Sequence, residues 1–211
     1  MWQFSQFVFK IFLIFFVFTA YGVNPSEKKS LLALKDPVVY SSAEVGKSYS
    51  SIFSQAWLSV GRLYFEGRYN YEYSQTGSIY IGYPIAFGAE SDIEFIPMIG
   101  ALTGKLKGYA PAFTFTVTKP KLIVFSENQY VLSRTPAIGS YYYTWSSVLI
   151  RAYKPFFVGG CIQAEQASDH SSFIKIGPTL HYKLDKLTLE GYCYNFWKQG
   201  STIAIGLEYD F

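Results

Sequence analysis

The chain has 211 residues and a formal net charge of +3, and 16% of its residues are charged, against about 25% in ordinary soluble domains. Aromatic residues account for 20%, among them 19 Tyr. A net charge this small gives no indication of nucleic-acid binding, and the length corresponds to one domain after a short leader. A composition rich in Tyr and poor in charge is typical of a β-barrel that faces lipid.

The chain begins with an apolar stretch, residues 1–22, whose one charged residue is Lys10. A basic residue, a short apolar core at residues 11–18 and small residues after it predict a secretory signal peptide. Ala20 and Gly22 would occupy the −3 and −1 positions of a cleavage site. The alternative is a transmembrane anchor, but the run is shorter than the roughly 20 apolar residues that span a bilayer.

Residues 23–55 differ in composition, with Asn, Pro, Ser and Lys first, then a brief apolar turn near residues 31–35, then a Ser-rich stretch. No pattern in this segment is long enough for a core of its own. We interpret it as a periplasmic N-terminal leader, followed by a barrel domain at residues 56–211.

From residue 57 onward, apolar and polar residues alternate in runs separated by turn signals, which is the pattern of antiparallel strands. The predicted fold is all-β: a transmembrane, antiparallel, up-and-down β-barrel of about ten strands, with eight to twelve possible. An even count would place both ends of the domain on the periplasmic side. The predicted strands are residues 57–73, 78–87, 92–103, 109–118, 122–132, 140–152, 156–167, 173–184, 187–197 and 201–211.

Four prolines fall inside these strands, where bulges or shorter strands would have to absorb the missing N–H groups. They are Pro84, Pro97, Pro111 and Pro178. Cys161 and Cys193 fall on opposite faces of strands that are not neighbours, so we expect no disulfide. Neither a CxxC spacing nor a nucleotide-binding or calcium-binding motif is present, and no cofactor is predicted.

The last predicted strand alternates most strictly, with Ile203, Ile205 and Leu207 on the same face as Tyr209 and Phe211. It resembles the C-terminal strand of bacterial outer-membrane β-barrels, in which alternating apolar residues and a terminal aromatic form the insertion signal. The resemblance implies an outer-membrane location, contact with outer-membrane lipid, and recognition of Tyr209 and Phe211 by the barrel-assembly machinery.

Aromatic residues are predicted to form two belts at the strand ends, as amphipathic rings do at the two interfaces of a bilayer. The extracellular belt would contain Tyr71, Tyr73, Tyr109, Tyr130, Tyr141, Tyr143, Tyr194 and Trp197. The periplasmic belt would contain Phe87, Phe95, Phe156, Tyr182, Tyr209 and Phe211.

Charged residues collect at the positions that alternate with the apolar face, so they are predicted to line the lumen. They are Glu66, Arg68, Glu72, Glu94, Glu127, Glu165, Lys175, Lys183, Glu190 and Glu208, together with His181. One interpretation is a polar lumen that conducts small solutes. The other is an interior filled with side chains, which the size of an eight- to ten-strand barrel favours.

Two alternatives to a non-enzymatic envelope protein or narrow pore remain open. The cluster Asp169-His170-Ser171-Ser172, with Glu165 nearby in sequence, is similar to the Ser, His and acidic residues of outer-membrane lipid A deacylases and acyltransferases. The second alternative is a secreted soluble barrel that holds an apolar ligand, and it requires the apolar strand faces to point inward.

Two short segments resemble uncharacterised Bacteroidetes-type small outer-membrane proteins. They are Gly67-Arg68-Tyr69-Asn70-Tyr71-Glu72 and Tyr143-Thr144-Trp145-Ser146, and the resemblance extends loosely over residues 57–211. It implies a small bacterial outer-membrane barrel and carries no activity with it.

Overall fold

The computed structural model describes residues 34–87, 92–167, 172–198 and 200–211. Every regular element in these ranges is a β-strand, and none of them contains a helix long and apolar enough to cross a bilayer. The strands are β1 (Leu34–Val45), β2 (Ser50–Val60), β3 (Leu63–Tyr69), β4 (Thr76–Gly82), β5 (Ile85–Phe87), β6 (Ile93–Gly104), β7 (Gly108–Lys119), β8 (Leu122–Ser133), β9 (Tyr141–Tyr153), β10 (Phe156–Ala167), β11 (Phe173–Leu184), β12 (Leu187–Tyr194) and β13 (Thr202–Asp210).

The strands form one antiparallel sheet that closes on itself. Each strand pairs with the next in sequence, and β1 closes the ring by pairing with β13. The segments β4 and β5 both pair with β6, so they are two parts of one strand of the wall, and the barrel has twelve strands. The ladder breaks between them because Pro84 lacks an N–H and lies near Pro97 of β6, whose carbonyl accepts a hydrogen bond from Tyr83.

The predicted barrel fold is confirmed, and the count of about ten is close to the twelve observed. The predicted strands 156–167 and 173–184 coincide with β10 and β11. The two additional strands are β1 and β2. The predicted first strand, residues 57–73, is in fact the end of β2, a two-residue turn, β3 and the first four residues of the next connection. The turn interrupts it because Gly61 adopts a φ of 63° there.

The interpretation of residues 23–55 as a leader is wrong for residues 34–55, which form β1, a short connection and the first half of β2. Residues 38–45 of β1 pair with β13 on one side, and β1 pairs with β2 on the other, so these residues close the barrel. Their alternation is masked in the sequence because the inward face carries both Tyr40 and Ser42 and the outward face carries Ser41. The predicted signal peptide lies outside the described residues.

The outer surface of the barrel is apolar. The exposed fraction is 70% for Ile79 and 62% for Ile205, although both lie in the middle of strands. A soluble barrel that holds an apolar ligand would need its apolar strand faces to point inward. The outward apolar faces therefore contradict that alternative. Cys161 is buried inside and Cys193 is partly exposed, and both are free thiols, as expected.

The two ends of the barrel differ in the length of their connections. We call the end where β1 begins and β13 ends the proximal end, and the opposite end the distal end. Proximal turns include two-residue connections at residues 61–62 and 185–186, whereas distal connections include seven residues at 134–140 and six at 70–75. Short turns on one side and longer loops on the other are characteristic of outer-membrane barrels, whose short turns are periplasmic.

Candidate functional site in the barrel interior

The interior of the barrel is divided into a filled distal half and an open proximal half. Buried aromatic and aliphatic side chains from strands around the whole ring form a single cluster in the lumen. Below it, toward the proximal end, lies a cavity of about 410 Å³. Because the strands position both regions, their geometry follows from the register of the sheet.

Arg68 of β3 is the centre of the filled region, and its side chain is fully buried. Its Nε lies 2.7 Å from Oε1 of Glu66, and its Nη1 lies 2.6 Å from Oε1 of Glu127 on β8. Glu72 lies farther from the guanidinium, at 3.6 Å. Nη1 also donates to the side-chain carbonyl of Gln129 at 3.1 Å. One buried cation thus contacts three carboxylates, from β3, from the connection at residues 70–75 and from β8. We call this group the Arg68 layer.

Tyr80 joins the Arg68 layer from the neighbouring strand. Its hydroxyl lies 2.8 Å from both the Glu72 carboxylate and the Gln129 side-chain carbonyl, and its ring lies 4.1 Å from the guanidinium carbon of Arg68. Tyr80 fits because Gly100 lies opposite it on β6, where a Cβ atom would come within 2.4 Å of the Tyr80 ring. Tyr80 on β4 therefore requires a glycine at position 100 on β6.

Trp145 fills the lumen beside this layer. Its ring lies 6.5 Å from that of Phe53, at an interplanar angle of 90°. Phe53 is on β2 and Trp145 on β9, and these strands are six positions apart in the ring of twelve, so they face each other across the barrel axis. Rings that touch from opposite walls leave no water-filled passage between them.

The loop at residues 70–75 completes the filled region from the distal side. Tyr71 packs edge-on against Tyr143, with ring centroids 5.7 Å apart, and the Tyr141 hydroxyl donates to the Glu72 carbonyl at 2.6 Å. The expectation that Tyr71, Tyr141, Tyr143 and Tyr194 form part of an outer belt is therefore wrong, because they point into the lumen.

The exterior aromatics agree better with the predicted belts. Tyr73, Tyr109, Tyr130 and Trp197 are exposed near the distal end, and Phe87, Phe156, Tyr209 and Phe211 near the proximal end. The Tyr209 and Phe211 rings lie 4.9 Å apart on the outside of the wall. Their role as an insertion signal stays a prediction.

The connection at residues 46–49 is fastened to the distal half of the lumen by a polar cluster that we call the distal latch. The Tyr49 hydroxyl donates to Glu44 at 2.5 Å and lies 3.1 Å from the hydroxyl of Thr202. Lys175 forms an ion pair with Glu44 and donates to the Tyr49 hydroxyl at 2.9 Å. Its ammonium also lies 5.0 Å from the centre of the Phe173 ring.

The cavity in the proximal half is lined by aromatic faces and carboxylates. The aromatic lining consists of Tyr40, Trp57, Tyr64, Phe125, Trp145, Phe157 and Tyr192. The charged lining consists of Glu66, Glu94, Glu127, Glu190 and Glu208 with Lys183, and His181 also contributes. The Arg68 layer and Trp145 form the inner end of this cavity, so it is blind toward the distal side.

His181 belongs to a hydrogen-bonded group on the cavity wall. Its Nδ1 lies 3.2 Å from Oε1 of Glu190, whose other oxygen accepts from Tyr192 at 2.6 Å. Its Nε2 lies 3.1 Å from the hydroxyl of Thr179, and that hydroxyl donates to the carbonyl of Gly191 at 3.0 Å. A hydroxyl carries one hydrogen, so Thr179 cannot donate to the Gly191 carbonyl and to the imidazole at the same time.

The structure places the predicted lumen residues at different depths. Glu66, Glu94, Glu127, Lys183, Glu190 and Glu208 line the cavity. Arg68 and Glu72 are in the Arg68 layer, and Lys175 is in the distal latch. Glu165 lies next to Tyr143 in the register of β9 and β10. Glu44 and Tyr49 were not identified from the sequence, because they lie in the segment interpreted as a leader. Trp145 was not identified either, although the alternation of its strand places this residue on the inward face.

The residues His170 and Asp169 of the lipid-enzyme alternative lie outside the described ranges. Within those ranges, no group of three or more His, Cys, Asp or Glu side chains is arranged to hold a metal ion.

Comparisons with known proteins identify the fold. No protein-family profile matches the chain, and no curated protein is similar to it in sequence. Among solved structures, a KdgM porin superposes with a TM-score of 0.57 at 14% identity, covering 82% of this chain and 99% of the porin. A KdgM porin in complex with disordered oligogalacturonate gives the same values. The NanC porin superposes with a TM-score of 0.52 at 8% identity, covering 83% and 100%. The chain therefore has a porin-like outer-membrane β-barrel fold.

Proposed function

We propose that the chain is an integral, non-enzymatic outer-membrane barrel that acts as a narrow pore for small cationic solutes. The observation that carries this proposal is that the barrel combines an apolar outer surface with an acidic interior cavity of about 410 Å³. In the state described, the passage ends at the Arg68 layer and Trp145. Conduction then requires these side chains to move aside.

The proximal end faces the periplasm in this proposal, and the distal end faces the outside of the cell. The support is the short proximal turns and the longer distal connections. The acidic cavity would then open to the periplasm, and the distal latch would lie at the outer mouth.

The proposal includes two further parts. The barrel-assembly machinery would recognise Tyr209 and Phe211, and the chain would belong to a Bacteroidetes-type family.

Charge determines which solutes such a pore prefers. Five carboxylates and one lysine line the cavity, and Arg68 at its inner end offsets part of the excess. A fixed negative field attracts cations and repels anions in a lumen with low-dielectric walls. Oligogalacturonate, the ligand seen with one KdgM porin, consists of linked galacturonate units, each of which carries a carboxylate. The lumen of this chain has the charge to exclude such a polyanion.

Ion selectivity tests the proposal. Many copies of the refolded protein are inserted in a planar bilayer that separates two concentrations of KCl, and the reversal potential is recorded. The sign expected is that of a membrane more permeable to K⁺ than to Cl⁻, and Glu94→Gln together with Glu208→Gln should move it toward zero. A reversal potential of the opposite sign would overturn the assignment of a cation pore.

A purely structural envelope protein is the second candidate, and the filled distal half favours it. It predicts that protein shown to be inserted carries no current under any of these conditions. The two candidates share the fold, the membrane and the orientation, and they differ in whether the Arg68 layer ever opens.

The proposal includes no enzymatic activity, and lipid analysis tests that part of it. We expect lipid A from cells that express the protein to match that from cells expressing His170→Ala or His181→Ala. Mass spectrometry of the lipid makes the comparison, and an acyl-chain difference that disappears in either variant would establish an enzyme instead.

A further inference from the structure

We propose that the proximal cavity is a binding site for small amines that carry an aromatic ring. This inference rests on the proposed cation pore and names the class of solute that the cavity would hold. The cavity is within the range of about 300–1,000 Å³ that is usual for small-molecule sites, and it measures about 410 Å³. Because its inner end is blocked, the amine would enter from the proximal end.

The aromatic walls supply the first part of the recognition. The Trp145 ring lies 6.1 Å from that of Phe125 at an angle of 81°, and 5.6 Å from that of Tyr192 at 63°. Trp57 and Phe157 contribute further rings to the same cavity. Nearly perpendicular rings present both faces and edges to a guest, which suits a guest ring and the electrostatic attraction of a cation to π faces.

The carboxylates supply the second part, and their partners show which of them are available. Glu66 and Glu127, at the inner end, are held by Arg68. Glu190 is held by His181 and Tyr192. These three carboxylates are therefore already satisfied by side chains of the wall.

Glu208 differs from them. It lies on β13 between Tyr40 and Thr188 of the adjacent strands, and it lines the cavity. Among the residues that the structure describes, its carboxylate makes no hydrogen bond and no ion pair. Lys183, which also lines the cavity, forms an ion pair with Asp210 at 3.7 Å. A carboxylate that accepts no hydrogen bond from the described residues, beside a group of aromatic rings, is the complement of an aromatic ammonium ion.

The test uses three probes of similar size and different charge: benzylamine, benzyl alcohol and benzoate. Each is titrated at neutral pH into the refolded, detergent-solubilised protein, and binding is followed by tryptophan fluorescence, because Trp57 and Trp145 line the cavity. We expect benzylamine to bind about tenfold more tightly than benzyl alcohol, and benzoate to bind least. Equal affinities, or tighter binding of benzoate, would overturn the proposal without recourse to any variant.

Matched variants locate the site. Glu208→Gln keeps the shape of the side chain and should weaken benzylamine binding by about fivefold while leaving benzyl alcohol unchanged. Asp92→Asn removes a carboxylate at the same end of the barrel, paired with Lys119 and absent from the cavity lining, and should leave all three affinities unchanged. An equal effect of both variants would show a general surface-charge effect and reject the site.

Binding and conduction can fail separately. A cation-selective current together with no preference for benzylamine would reject this site and leave the proposed pore intact. Selective binding of benzylamine by a protein that carries no current would reject the pore and leave a binding barrel.

Discussion

Arg68 is the residue on which the interior depends most. It is a fully buried cation whose neighbours include the carboxylates of Glu66, Glu72 and Glu127. Leaving a buried charge without its partner is among the most costly single changes in a protein, at about 3–5 kcal/mol. The sequence shows three of these residues on one face, but only the register of β3 against the rest of the barrel shows that Glu127 reaches the same cation.

We therefore predict that Arg68→Met lowers the free energy of unfolding by about 3–5 kcal/mol. Urea titration of the refolded protein in lipid vesicles, followed by tryptophan fluorescence, measures it. The matched control is Arg134→Met, because Arg134 is exposed and its guanidinium only stacks on Tyr109, 4.9 Å from the ring centre. The control should cost less than about 1 kcal/mol. Equal losses in the two variants would contradict the role given to the Arg68 layer.

Gly100 makes a second residue-scale prediction. Gly100→Ala would bring a Cβ atom within 2.4 Å of the Tyr80 ring. That ring is held in place because its hydroxyl lies 2.8 Å from acceptor oxygens of Glu72 and Gln129 and donates to one of them. We expect a loss of about 1–3 kcal/mol in the same unfolding assay. Gly67→Ala is the control, since nothing lies within 4 Å of the corresponding position. A Gly100→Ala barrel as stable as the control would show that Tyr80 is not fixed.

At the scale of elements, predictability from sequence depends on how clearly the two strand faces differ. Strands β10, β11 and β13 could be located because their outward residues are apolar, apart from Gln166 near the end of β10. Strands β1 and β2 could not, because Ser occurs on both faces of β1 and the two-residue turn at Gly61 has no flanking break in the pattern. The ion pair of Lys175 with Glu44 could not be predicted either, because Glu44 lies in the segment that was interpreted as a leader.

The distal latch carries the element-scale prediction. Tyr49→Phe keeps the ring but removes the hydroxyl that joins Glu44, Lys175 and Thr202. The connection at residues 46–49 should then open more often, and trypsin should cleave after Lys47 roughly fivefold faster in detergent solution. Cleavage after Lys186, in a proximal turn, serves as the internal reference and should not change. Unchanged cleavage at both positions would show that the hydroxyl does not hold this connection.

At the scale of the whole molecule, the sequence was sufficient to predict the membrane-facing surface but not the arrangement of side chains in the lumen. Alternation tells which face of a strand is apolar, and the exterior follows from it directly. Whether inward side chains meet across the axis depends on the strand number and on ring-to-ring distances between β2 and β9, which lie far apart in the chain. For that reason the interior could be predicted as polar, but its division into a filled distal half and an open proximal cavity could not.

Single-channel recording in a planar bilayer tests most directly the claim that Trp145 and the Arg68 layer block the passage. We predict that wild-type protein, shown to be inserted, gives rare and small current steps. Trp145→Ala should raise the unit conductance severalfold, because it removes the ring that meets Phe53 across the axis. Trp197→Ala, which removes a ring that is 55% exposed, is the matched control and should behave as wild type. Large steps in the wild type, or a Trp145→Ala conductance equal to that of the control, would contradict a lumen closed at this level.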